Sequence, residues 1–200
     1  MATSLSFVLK PDHLAVFFPL LQQGVRVEAR VGCDIQSLLC DQFKLVPDYL
    51  ADRITTIFLN GKPVDDVATA VVKDGATLAL SAAMPGLVGA TLRKAGSLAS
   101  FRNTISHRND ATAASACVDG LITLKLFNML LPEVGPQYLA QGVWTSGREL
   151  QTCLLEYTHD MEAFVVRLVL DGHVLKPAML SRLQEIDPGA RVKLQASCEP

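Results

Sequence analysis

The sequence predicts an α+β protein of two tandem domains, each a mixed sheet with one main helix packed across it. Three observations carry that prediction. Residues 24–31, Gly-Val-Arg-Val-Glu-Ala-Arg-Val, alternate strictly between apolar and charged side chains, the pattern of a half-buried strand. Ile35, Leu38, Leu39 and Phe43 then recur at helical spacing behind Asp34, whose carboxylate suits an open amide of a first helical turn. A strand–turn–strand pair is written twice, as Ile54–Val64 with Asp74–Ser81 and as Phe164–Leu175 with Asp187–Gln195.

Composition bounds the reading. The chain has 200 residues, half of them apolar, enough for two cores in domains of about 100 residues. Ten prolines and thirteen glycines are too few for a disordered composition. A net charge of −2 offers no global field for nucleic acid or anionic lipid. The longest early apolar run, Leu14–Leu21, is interrupted by Pro19 and falls short of the roughly 18–20 residues that cross a bilayer. No basic start with an unbroken apolar stretch and a small-residue cleavage site is evident, so a cytoplasmic protein without a membrane segment is expected. The five cysteines, Cys33, Cys40, Cys117, Cys153 and Cys198, are odd in number and form no Cys-x-x-Cys. That pattern points to free thiols rather than a disulfide framework or a zinc site.

In chain order, Ser4–Lys10 alternates as a strand and ends at Pro11. An irregular apolar stretch runs to Gln23, followed by the strand at 24–31. The helix opened by Asp34 should stop before Pro47. Ile54–Leu59 is rich in β-branched residues and runs into Asn60-Gly61, the strongest short hairpin signal there is. Asp74-Gly75 turns the chain into a last strand, Ala76–Ser81. Leu98–Phe101 has the makings of a short extra strand, and the small polar residues 103–120 read as a linker. Leu121–Phe127 restarts the pattern, and residues 135–143 echo 18–25. Ser146-Gly-Arg-Glu149 is a capping box opening a helix with Leu150, Leu154 and Leu155 on one face. Asp171-Gly172 repeats the hairpin turn, and a closing strand ends near Leu194. The expected division is therefore residues 1–90, a connector at 91–120, and residues 121–200. The repeat distance of about 115 residues is too long for a solenoid.

The segment Thr56-Ile-Phe-Leu-Asn-Gly-Lys-Pro-Val64, followed by Lys73-Asp-Gly-Ala-Thr-Leu-Ala-Leu80 and Pro85-Gly86, resembles the ubiquitin-like β-grasp proteins. Its pattern is closest to the sulfur-carrier branch, which includes the small subunit of molybdopterin synthase and the thiamine sulfur carrier. The resemblance covers residues 4–90; residues 121–196 resemble the fold without that signature. It implies two tandem β-grasp domains, with Asn60, Gly61, Asp74, Gly75, Asp171 and Gly172 as structural turns. A sulfur carrier uses a terminal Gly-Gly as a free carboxylate, which an activating enzyme converts to a thiocarboxylate. Here Pro85-Gly-Leu-Val-Gly-Ala90 occupies the tail position, the chain continues, and no Gly-Gly occurs. Carrier chemistry would need processing near Gly89.

Other chemistry is sparse. Gly86 and Gly89 precede Arg93, Lys94, Arg102 and Arg108 in an acid-free stretch, making Gly86–Arg102 a candidate contact for a partner, a nucleotide or another small molecule. It has neither dinucleotide-type nor P-loop spacing. Phe101 is its only aromatic residue, which disfavours single-stranded nucleic acid. Iron–sulfur ligation needs closer cysteine spacing than Cys33 and Cys40 offer. Cys153 and His159 are near in sequence, but Cys153 falls within the predicted helix. No catalytic residue, metal or cofactor is expected. The primary expectation is a non-catalytic binding or scaffold module for a protein partner, with a homodimer left open. The sulfur carrier is the alternative and the small-molecule binder the third reading.

Overall fold

The computed structural model describes residues 2–82, 86–94, 96, 106–107, 117–155, 157 and 160–199. In chain order these form β1 (Ala2–Leu9), a 3-10 turn (Leu14–Phe17), α1 (Phe18–Gln23) and β2 (Val25–Val31). Two wide π-type helices follow, Ser37–Gln42 and Tyr49–Arg53, then β3 (Thr56–Leu59), β4 (Lys62–Pro63), β5 (Thr77–Ser81) and α2 (Gly86–Leu92). The remainder is β6 (Val118–Phe127), α3 (Leu130–Gln141), β7 (Val143–Ser146), α4 (Gly147–Leu155), α5 (Met161–Phe164), β8 (Val165–Leu170), β9 (His173–Leu175), the 3-10 stretch Pro177–Glu185 and β10 (Arg191–Cys198). The class is α+β, with mixed sheets and several helices.

Local chemistry accounts for most boundaries. Pro19 sits in the first turn of α1, where its missing amide proton costs nothing, and Gly24 at φ 116° ends that helix. Asp34 Oδ1 accepts from the Ser37 amide at 2.8 Å and Oδ2 from the Ser37 hydroxyl at 2.8 Å, as its N-cap role predicts. The helix behind it is wider than an α-helix: the Phe43 amide reaches the Leu38 carbonyl at 3.1 Å, five residues back. The capping box forms at α4, with Glu149 N donating to Ser146 Oγ at 3.2 Å and Ser146 N donating to Glu149 Oε2 at 2.9 Å. Leu150 and Leu154 of α4 are buried, but Leu155 is 59% exposed and leaves the face expected for it, because α4 ends there.

The contacts divide the chain into two compact units that do not follow the contiguous 1–90 and 121–200 division. One unit is Met1–Val25 with Leu131–Pro200; the other is Arg26–Leu130. In the first, the strands run β7-β10-β1-β8-β9. β1 lies parallel to β10, Leu5 opposite Leu194, and antiparallel to β8, Leu5 opposite Leu170. In the second, the order is β4-β3-β5-β6-β2, with β6 parallel to β5, Leu124 opposite Leu78. Each half of the sequence thus gives its first strand to the unit built mainly from the other half. The alternation in 4–10 and 121–127 is alike, so pattern alone cannot decide which sheet either joins.

Each sheet buries one face. In the first unit Leu5, Leu9, Leu168, Val192, Leu194 and Ala196 are fully buried, and the Phe7 and Phe17 rings meet at 5.1 Å. In the second, Ile35 just ahead of the wide helix and Leu38 and Leu39 within it are fully buried, as are Ile57, Leu78, Leu80, Ile122, Leu124 and Leu126 of the strands. Fully burying one such side chain is worth about 1.5–3 kcal/mol.

Candidate functional site

The strand register of the first unit sets its opposite face. Because β10 buries Val192, Leu194 and Ala196, it turns Arg191, Lys193 and Gln195 outward. β7 pairs antiparallel with it and places Trp144 opposite Lys193. β1 pairs on the other side, bringing Ser4 beside Lys193, Ser6 beside Gln195 and Val8 beside Ser197. β8 adds Val169 opposite Ser6 and Arg167 opposite Val8, and β9 adds Val174 opposite Val169, 65% exposed. The Arg191 guanidinium lies 4.8 Å and the Lys193 ammonium 5.3 Å from the centroid of the Trp144 ring. Both distances are within cation–π reach. None of these outward strand residues is acidic. The turn carboxylate of Asp171 is held by the Ser4 amide, which donates to its Oδ1 at 2.8 Å, and that of Glu149 by the Ser146 hydroxyl, which donates to its Oε2 at 2.8 Å.

The face therefore joins a basic, aromatic edge at β7–β10 to an apolar edge at β8–β9 across a strip of small hydroxyls on β1. The outward strand residues named above include no His, Cys, Asp or Glu side chain. Among the described residues, no three His, Cys, Asp or Glu side chains come together as a metal site. Sequence reasoning missed the cluster because Trp144 is the chain's one tryptophan, 47 positions before Arg191 and 49 before Lys193. The i, i+2 spacing of Arg191 and Lys193 around Val192 was the available signal.

The residues singled out at the connector lie in the second unit. Gly86 opens α2 at φ 76° with open space around its Cα, Gly89 is buried, and Arg93 is exposed. Lys94 is tied down: its backbone amide donates to the Thr55 carbonyl at 2.7 Å and its Nζ to the Leu50 carbonyl at 2.8 Å. Burial pushes the Lys94 ammonium down in pKa, against an opposing pull from Asp52. Further along, the His107 amide donates to the Pro63 carbonyl at 2.8 Å. Lys94 and His107 of the 91–120 segment are thus fastened, the first to Leu50 and to Thr55 just ahead of β3, the second to β4. Arg102 lies outside the described residues, as do Arg108, His159 and the suggested strand at Leu98–Phe101.

The turn residues share one device. Asn60 and Gly61 take φ 51° and 76°, and Asp171 and Gly172 take 48° and 82°, the left-handed pair a tight hairpin demands. The Asn60 amide donates to the Thr77 carbonyl, and the Thr77 amide to Asn60 Oδ1, both at 2.8 Å. The Asp171 amide donates to the Ser4 carbonyl, also at 2.8 Å, closing the same two-point clamp. Gly75 at φ 72° donates to the Leu121 carbonyl, while the Leu121 amide donates to Asp74 Oδ1, again both at 2.8 Å. No helix of the described residues is long and apolar enough to cross a membrane. No family model, curated protein or solved structure matches the chain.

Proposed function

We propose that the chain is a non-catalytic protein-binding module built from two β-grasp-like units, and that the outward face of β7, β10, β1 and β8 is its recognition surface. The observation carrying this reading is the Trp144–Arg191–Lys193 cluster on a sheet face whose strands hold no acid. Trp and Arg are the side chains that most often dominate binding energy at protein interfaces. The apolar residues Val8, Val169 and Val174 supply the desolvated part of such a contact, and the cations favour an acidic partner segment. The β-grasp reading is supported by two features of each unit: a central parallel strand pair, and an Asn-Gly or Asp-Gly hairpin on one flank.

The sulfur-carrier alternative requires cleavage near Gly89, a buried residue inside α2, and gains no support from that placement. The small-molecule reading of Gly86–Arg102 has Lys94 already engaged by Leu50 and Thr55.

The test compares affinity capture by the full chain with capture by a Trp144→Ala, Arg191→Glu variant. Losing a hot-spot tryptophan costs about 2 kcal/mol or more, roughly 30-fold in affinity. The expected outcome is loss of the captured partner at unchanged thermal stability. Equal capture by both proteins rejects this face as the surface.

A further inference from the structure

A second place in the fold carries chemistry that the binding face does not use. In the second unit, an open cleft of about 530 Å³ is lined by Arg30, Cys33, Asp34, Gln42 and Cys117, among others. Cys33 follows the end of β2 and Cys117 immediately precedes β6, its neighbour in the sheet. The two strands are pressed together at this end: a Cβ built on Gly120 would stand 2.8 Å from Val31 Cγ2. Arg30 ties both cysteines to one spot. Its carbonyl accepts from Cys33 Sγ at 3.3 Å, and its guanidinium Nη2 donates to the Cys117 carbonyl at 3.5 Å. Gln42 completes the frame. Its Nε2 donates to Cys33 Sγ at 3.3 Å and to the Arg30 carbonyl at 2.9 Å, while its Oε1 accepts from the Arg30 amide at 2.8 Å.

From this geometry we infer that Cys33 and Cys117 are a dithiol modification site, oxidised to an intramolecular disulfide by a peroxide. The two differ in the way such a pair needs. Cys117 is exposed, so it meets the oxidant first. Cys33 is half-buried and fixed by Gln42. Burial, then the nearby Cys117 and Asp34, raise its thiol pKa, which disfavours its thiolate and leaves Cys117 the first to react. In the first step Cys117 sulfur, losing its proton, attacks one peroxide oxygen. The S–O bond forms, the O–O bond breaks, and the departing hydroxide takes up the thiol proton as water. In the second step Cys33 sulfur, losing its proton, attacks Cys117 sulfur; the S–O bond breaks and the second water leaves. Two thiols lose two electrons and one peroxide becomes two waters. The bond would join the end of β2 to the start of β6, and a small dithiol would reverse it.

The test uses the full chain treated with one equivalent of hydrogen peroxide, followed by non-reducing peptide mapping. The expected product is a Cys33–Cys117 linked peptide with a loss of about 2 Da, the two hydrogens a disulfide removes. Cys33→Ser should abolish the link and leave a Cys117 sulfenic acid that dimedone traps. Cys117→Ser should leave Cys33 reduced, and Cys40→Ser should leave the link unaffected. Three results overturn the inference: oxidation of Cys117 with no linkage to Cys33, linkage only between chains, or an undiminished loss of two hydrogens in Cys33→Ser.

Discussion

The two units hold the same turn against different kinds of strand. In the second unit Asn60 clamps Thr77, so the hairpin β3–β4 docks on β5, the closing strand of its own sequence half. In the first, Asp171 makes the same two-point clamp to Ser4, so β8–β9 docks on β1, an opening strand from the far end of the chain. The next turn differs to match. Asp74 reaches out to the Leu121 amide on β6, whereas Asp187 closes its own loop by accepting from the Gly189 amide at 2.9 Å. One short-range motif thus serves two strand orders, and the partner strand is chosen by where each opening strand lies. A recurring turn motif thus specifies a hairpin, and not the sheet that receives it.

Cutting the chain should have the largest effect. A fragment of residues 1–90 lacks β6, the parallel partner of β5, and a fragment of 121–200 lacks β1, the parallel partner of β10. Each should fail to give a cooperative melt alone, and mixing the two should restore signal if both strands find their sheets. A smaller break comes from packing. A Cβ at Gly147 runs into the Asp187 carbonyl oxygen, a backbone atom with little room to yield, while at Gly120 it meets Asp74 Oδ1 at 2.7 Å and Val31. Gly147→Ala and Gly120→Ala should each cost about 1–3 kcal/mol, Gly147→Ala the more, as denaturant midpoints would read. The clamps themselves are worth less. Asp171→Ala and Asn60→Ala should each lose about 1–2 kcal/mol, from one lost hydrogen bond and alanine at positive φ. Asp171→Asn, which keeps the oxygen and tolerates that φ, should cost a few tenths. Parity of Asp171→Asn with Asp171→Ala would show that the clamp contributes nothing.

The smallest effect is in pH. Because burial and its neighbours raise the Cys33 pKa, less thiolate is present at any given pH than in the unfolded chain. Alkylation of native Cys33 should therefore rise at higher pH than in urea. Folding gains from the held proton below the unfolded pKa and loses that gain as pH climbs through the folded one.

Much of this fold was legible in local chemistry. Asn60-Gly61, Asp171-Gly172, the Asp34 cap and the Ser146–Glu149 box all appear where residue type and spacing put them. The helix at Tyr49–Arg53 was not legible, since its five residues bury only Leu50 and show no apolar stripe. α3 was hidden by Pro136 within it. The exchange of opening strands was invisible because strand alternation encodes a face and not a partner. The basic, aromatic face was half-written: Arg191 and Lys193 could be placed on one side of β10, but their meeting with Trp144 depends on the β7–β10 register.

That face exists only if β1 lies between β10 and β8, so it depends on the strand exchange. Backbone nuclear Overhauser contacts in the labelled full chain test it directly. Contacts are expected from residues 2–9 to 191–198 and to 165–170, with 118–127 in contact with 77–81. Contacts from residues 2–9 to 77–81 instead would contradict it and return the chain to two contiguous halves.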